Sequence, residues 1–468
     1  MDLLSPKIQP YPWGTRTAIA ELQGRPVPAP DPEAELWMGA HPSAPSALHR
    51  PPAPPATLDA LIATDPEREL GAEIVARFGG RLPFLLKVLS AEKALSIQVH
   101  PSRAQAEAGY AAENARGLAP DDPARNYRDD WPKPELLYAL TPFEVAAGLR
   151  PPADASALLR ALAVDELKPL AVSLADAAGE DALGAALASV LEWPEPAPLV
   201  ASVVAACRRL AAAGGPYADA CAAAVRVAGD HPGDVGVVAL LLMRHEVLQP
   251  GQAIFMPAGG LHAYLHGTGI ELLANSDNVV RSGLTSKHID VPELLELLDP
   301  SIAVPVLTPR LAEPGVTTFD TPAPEFRLYL LDLPANAPAP ALAPPGPALA
   351  PPGPALAPPG PALAPPGPAL ASPALALPGT GPRILLCLDG TCSLRAASGQ
   401  ELDLTRGGSC FIPFADAPVH ATGQARLALA TPPPSPPLTW PFPATPSKIV
   451  ASFGQIAPLS GHDHDSAT

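Results

Sequence analysis

The chain has 468 residues, enough for two or three domains, and 47% of them are hydrophobic, so it can bury a real core. Its net charge of −17 and pI of about 5.0 exclude the basic footprint of a general nucleic-acid binder. They leave room for a few local cations to hold one small anion.

The N-terminus "MDLLSPKIQPYPWG" lacks a basic stretch followed by an apolar one, so no signal peptide is expected. Residues 1–150 read as mixed, with strand-like runs "AELWMGAHP" and "LPFLLKVLSAEKALSIQVHP" separated by turns. A helix is predicted over 102–117, with Ser102 as its N-cap. From 151 to 245 the texture becomes Ala- and Leu-rich with helical periodicity, which predicts several short helices. The run "VGVVALLLM" at 235–243 is too short to span a bilayer. Strand texture returns with "GQAIFMPAGGLHAYLHGTGIELLANSDNVVR", followed by a short helix at "VPELLELLD". From about 315 to 455 the chain again reads as strands and turns, including "EFRLYLLDL", "RILLCLDGTCSLRA" and "GGSCFIPF".

Sixty-seven prolines far exceed the usual share of about 5%. Many sit in a seven-residue repeat, "ALAPPGP", between 341 and 371. Pro-Pro-Gly-Pro removes backbone donors and blocks helix, and glycine at every seventh position is not collagen. The segment from about 335 to 380 is therefore expected to be a disordered, partly polyproline-II surface loop, and the tail 456–468 to be disordered too. The cysteines Cys207, Cys221, Cys387, Cys392 and Cys410 form no C-x-x-C pair. Their odd number and apolar surroundings predict buried thiols in a reduced, cytoplasmic protein and argue against a cysteine-ligated zinc site.

The chemistry-bearing residues start with "ALSIQVHP" at 94–101. On a strand, Gln98 and His100 project to one face while Ile97 and Val99 take the other. Alone, the pair fits a solvated strand face as well as half of a metal site. The same holds for His262 after "AGGL", for Glu135, and for Arg281 and Lys287 in an ordinary turn. His41, His245, His266 and His288 read as turn or strand histidines.

In "GQAIFMPAGGLHAYLHG", Gly251, Pro257, Gly259 and His262 fit G-x5-P-x-G-x2-H. This resembles the second motif of the cupin superfamily, a small β-barrel holding one metal, in which the first motif supplies two ligands two residues apart. Gln98 and His100 match that part, with residues 151–245 as an insertion between the motifs. Glu135 in "KPELLYAL" offers a carboxylate. Imidazole, carboxylate and amide oxygen suit catalytic Zn²⁺, with Mn²⁺, Co²⁺ or Fe²⁺ as substitutes.

The blocks "QPYPWG", "AELWMGAHP", "LPFLLKVLSAEKALSIQVHP", "KPELLYAL", "GLHAY" and "ELLANSDNVVRSGLTSKHIDVPEL" together resemble the type I phosphomannose isomerase family, in order from about residue 8 to 300. The resemblance implies zinc ligands Gln98, His100, Glu135 and His262. It implies a catalytic Arg281 and brings Ser96, Lys133, Glu271 and Lys287 to the pocket as polar and charged groups, with Lys133 and Glu271 as candidates for proton handling and Ser96 and Lys287 for substrate contact. It implies a mainly β fold: two cupin, jelly-roll-like barrels with an inserted helical domain. The metal barrel would comprise 1–150 with 246–310, the insertion 151–245, and a metal-free barrel 311–455. In that second barrel "GGSCFIPFADAPVH" keeps Gly407 and Pro413 of the motif without the metal histidine. One departure stands out: Trp131 and Pro132 occupy the place where family members commonly carry Asn-His before "KPE".

The implied activity is the interconversion of mannose 6-phosphate and fructose 6-phosphate through a cis-enediol, linking glycolysis to mannose donors such as GDP-mannose. The expected partner is a sugar phosphate, with no nucleic acid, no membrane and a monomeric chain. A cupin oxygenase would favour more histidines around Fe²⁺ and no phosphate cations. A non-catalytic sugar-phosphate-binding cupin would be expected to lose ligands or Arg281, and none is lost.

Overall fold

A computed structural model describes residues 1–49, 56–176, 181–334 and 374–434. The "ALAPPGP" repeat and the C-terminal tail lie outside the described residues. The fold is mainly β: two eleven-stranded sheets, with twelve α-helices among the described residues.

The first sheet runs in the order Val306–Leu307, Ala253–Met256, Glu135–Ala139, His262–Ala274, Phe84–Ala91, Glu35–Met38, Lys7–Gln9. Its central strand Phe84–Ala91 is buried at every position, which demands cover on both faces. Phe84, Leu86 and Val88 pack in a cluster with Leu328, Ile384 and Phe411 of the second sheet and with Phe319 and Phe326 beside its strands. Burying each such side chain contributes about 1.5–3 kcal/mol, so this seam locks the sheets together. The alternate residues Leu85, Lys87 and Leu89 take the opposite face, which places one lysine inside an apolar strand.

The second sheet is built around the long strands Arg383–Ala396 and Val419–Thr431, which pair antiparallel. It also takes strands from the start of the chain: Asp2–Ser5 pairs with Ser409–Ile412 and with Ala47–His49. The sheets thus share N-terminal sequence.

Between Pro152 and Leu242 the described residues are helical, with their own core of Leu158, Leu162, Leu187, Val203, Cys207, Val227 and Val238. Among the described residues Pro196–Ala213 is the one helix long and apolar enough to cross a membrane by length and composition. It buries Leu199, Val200, Val203 and Cys207 in that core and exposes Arg208 and Arg209. All five cysteines are buried and unpaired by disulfide. Helix Arg103–Ala115 starts at a capping box: Ser102 and Gln105 satisfy each other's backbone N–H groups.

Trp131 is 3% exposed and belongs to the seam cluster. Its ring lies 6.0 Å from Phe78, with the guanidiniums of Arg81 and Arg103 4.3 and 5.3 Å from its centroid. The substitution that departs from the family pattern is thus a core residue. Trp131→Ala should cost about 3–5 kcal/mol of unfolding free energy in guanidinium titration. A loss below about 1 kcal/mol would contradict this packing role.

Candidate metal centre and sugar-phosphate site

Strand register assembles the site. Gln98, on the short strand Ile97–Val99, pairs directly with His262 on one side and Arg281 on the other. Opposite residues of an antiparallel pair share a face, so these three side chains line one rung. Two strands away, Glu135 pairs with Leu273 and Leu137 with Glu271. The two-residue period therefore puts both carboxylates on one face.

His100, Glu135 and His262 bring one ligand atom each within 4.8 Å of one another, and all three are buried. His100 Nε2 lies 3.2 Å from Glu135 Oε1, and His262 Nε2 lies 3.3 Å from Glu135 Oε2. The Gln98 amide reaches His262 Nε2 at 3.3 Å. Since amide N and O are interchangeable by a flip, that end of Gln98 can present its oxygen to a metal. The imidazoles are oriented from behind: His100 Nδ1 donates to the Asn278 carbonyl at 2.7 Å, and His262 Nδ1 to the Gly260 carbonyl at 3.1 Å. Carbonyls only accept, so each ring keeps its Nε2 lone pair for the centre. Gly259 braces the same site: its N–H donates to the His100 carbonyl at 2.9 Å. Its φ of +81°, with the Leu297 carbonyl 3.1 Å from any added Cβ, explains why the motif needs glycine there.

Burial opposes ionisation of Glu135, but Lys133 and the two imidazoles outweigh it and hold its carboxyl well below the usual range. Burial, with Lys133, pushes His100 down to about 4 and so keeps its imidazole neutral at neutral pH. A buried carboxylate and two imidazoles, with the His100 Nε2 left without a hydrogen-bond partner among the described residues, are the donor set a Zn²⁺ ion takes.

Beside this centre, Lys133 Nζ lies 2.9 Å from Glu135 Oε1. Lys87 Nζ lies 3.0 Å from Glu271 Oε2 and 3.5 Å from Glu35 Oε1, over the Trp37 ring at 4.9 Å. Two carboxylates hold Lys87 charged against its burial. Glu271 is pushed up to about 7 by burial, and the charges of Glu135 and Glu35 add to this against the pull of Lys87. Sequence reading missed Lys87. Its signal was a lone lysine in the apolar run "LPFLLKVLSA".

The mouth of the site is cationic. Arg281 is half-buried, without a carboxylate partner among the described residues. Burial and the neighbouring Arg128 lower its pKa, and burial with Arg281 and Arg128 lowers that of the exposed Lys287. Mutually repelling cations with no ion-pair partner among the described residues favour an anion beside them. Arg128 was also missed. Ser96, half-buried beside the Ile97–Val99 strand, makes no hydrogen bond to these groups among the described residues. His41, read as an ordinary turn histidine, is instead buried beside Trp37, with Ser43 Oγ 2.8 Å and Asp277 Oδ2 3.4 Å away.

Glu271 carries a pH signature. Its folded pKa of about 7 lies above the ordinary 4.5, so between those values the native state holds more protons than the unfolded one. Metal-free protein should therefore lose stability as pH rises through that window, and Glu271→Gln should flatten the slope in urea titrations. A parent slope unchanged by the substitution would assign it to other groups.

A family model described as phosphomannose isomerase type I, catalytic domain, matches residues 1–152. The mannose-6-phosphate isomerase of Escherichia coli strain K12 is 33% identical, the match covering 92% of this chain and 98% of the relative. That of Homo sapiens is 34% identical over 71% of this chain and 82% of the relative. A crystal structure of a zinc-bound mannose 6-phosphate isomerase superposes with a TM-score of 0.76 at 32% identity, covering 92% of this chain and 98% of the other. With a relative of this identity matched over nearly its whole length, the chain belongs to the type I phosphomannose isomerase family.

Proposed function

We propose that the chain is a zinc-dependent aldose–ketose isomerase that interconverts D-mannose 6-phosphate and D-fructose 6-phosphate through a cis-enediol. The observation that carries the reading is the buried His100–Glu135–His262 cluster, with a lysine–carboxylate pair beside it and an arginine next to Gln98 that has no carboxylate partner among the described residues. We assign the metal to Gln98, His100, Glu135 and His262. Bound there, Zn²⁺ would polarise the sugar's carbonyl and hydroxyl oxygens as a Lewis acid.

The reaction moves a proton from C2 to C1, while the C1 oxygen gains a proton and the C2 hydroxyl loses one. Glu271, with a pKa of about 7, is poised to exchange a proton at Oε2 near neutral pH, against Lys87 Nζ. Lys133 Nζ, next to Glu135, supplies a second group for charge or proton handling on the metal side. Arg281 stabilises developing negative charge, and Lys287 and Ser96 meet the phosphate at the mouth. Phosphate contacts supply remote binding energy that fixes C1 and C2 against these groups.

We read the architecture as two cupin barrels, with 151–245 as a helical insertion and 311–455 as a metal-free barrel that borrows the first strand of the chain. The reading extends to a cytoplasmic monomer.

The mechanistic test is turnover of mannose 6-phosphate in deuterium oxide, followed by NMR. A proton-transfer route predicts solvent deuterium at C1 of the fructose 6-phosphate formed. Complete retention of the substrate hydrogen would favour a hydride shift and remove the role given to Glu271.

A further inference from the structure

Asn278 is fully buried, and each of its polar atoms is engaged. Its backbone carbonyl accepts the His100 Nδ1–H at 2.7 Å. Its Oδ1 accepts the backbone N–H groups of Arg128 and Asp129 at 2.7 and 3.1 Å. Its Nδ2 donates to the carbonyls of Asp129 and Trp131, both at 2.8 Å. The amide orientation is forced, since a flip would set oxygen against two carbonyls and N–H against N–H. Asp129 answers from the other side: its carboxylate accepts from Ser276 Oγ at 2.8 Å and from the N–H groups of Trp131 and Asp277, both at 2.9 Å.

This clasp joins three parts of the site, two of which already adjoin where strand Val280–Gly283 pairs with Ile97–Val99. One is the metal-facing imidazole of His100. The second is the segment 128–131, which leads directly into Lys133 and Glu135. The third is the segment 276–278, which leads into Arg281. A loop that only needed tethering would not require its anchor to end on the ring of a metal ligand.

We propose that Asn278, paired with Asp129, is a positioning residue that fixes His100, Glu135 and Lys133 relative to one another and thereby sets metal affinity and turnover. The turnover arm rests on the isomerase reading; the affinity arm does not.

The test compares the full-length parent with Asn278→Asp, which keeps the shape but turns Nδ2 into an oxygen facing two carbonyls and the Asp129 carboxylate. Zinc affinity is read by competition with a chromophoric chelator, beside kcat and KM for mannose 6-phosphate at saturating Zn²⁺. Affinity should fall about 10–100-fold, as for other outer-shell partners of metal ligands, with kcat falling and KM nearly unchanged. A second variant, Ser276→Ala, removes the hydroxyl that donates to Asp129 and accepts the Asn278 N–H at 3.2 Å, and should shift affinity the same way by a smaller factor. If Asn278→Asp does not fold, Ser276→Ala decides. Folded Asn278→Asp, or in its stead Ser276→Ala, with zinc affinity equal to the parent would overturn the proposal. A parent that binds zinc but does not isomerise would sink the isomerase reading and leave the affinity comparison standing.

Discussion

His262→Ala is expected to remove both tight zinc binding and isomerase activity. The ring is fully buried, its Nε2 points at Glu135 and the Gln98 amide, and its Nδ1–H is held by a carbonyl. Removing a direct ligand should weaken zinc by more than the roughly 10–100-fold seen for outer-shell partners. Losing about 4 kcal/mol of transition-state stabilisation corresponds to about a thousandfold in rate. The fold should survive, because its hydrophobic seam lies elsewhere. Chelator competition and steady-state kinetics on a variant with parent-like circular dichroism check this. A folded variant that retains parent zinc affinity would move the metal away from His262.

Arg281→Gln is expected to lower kcat/KM about 10²–10³-fold, the range found when one preorganised stabiliser of developing charge is removed. The guanidinium is half-buried, adjoins Gln98 by register, and has no carboxylate partner among the described residues. Inhibition by inorganic phosphate should weaken in parallel if the arginine also meets the phosphate. Stability should not fall. Burial and the repulsion among Arg281, Arg128 and Lys287 already work against the charge, so the glutamine removes a strain that only an anion relieves. A variant with parent kcat/KM would take Arg281 out of the chemistry.

The candidate ligands were legible in the sequence because each sits in a motif with its own spacing: Gln98-Val99-His100, Lys133-Pro134-Glu135, and Gly259 three residues before His262. The change from strand to helix texture near 151, and back near 246, was legible from periodicity. What stayed hidden depends on long-range register. Lys87 gains meaning only when Glu271 and Trp37 become its lateral neighbours on adjacent strands. Asn278 is one polar residue in "NSDN" until the fold brings His100 and segment 128–131 to it. Trp131 stood out in the sequence only as a departure from the family pattern just before "KPE". Its ring turns into the seam between the sheets, where Phe78 and two arginines receive it. The passage of Asp2–Ser5 into the second sheet had no local signal, since a strand's partner is not encoded in its own pattern.

The central claim is tested most directly by assaying fructose 6-phosphate formation from mannose 6-phosphate with chelator-treated protein, before and after adding Zn²⁺. Turnover should be negligible without metal, recover on addition of one equivalent per chain, and not recover in a Gln98→Ala/His262→Ala variant. Binding of one zinc per chain at the parent site with no turnover would contradict it.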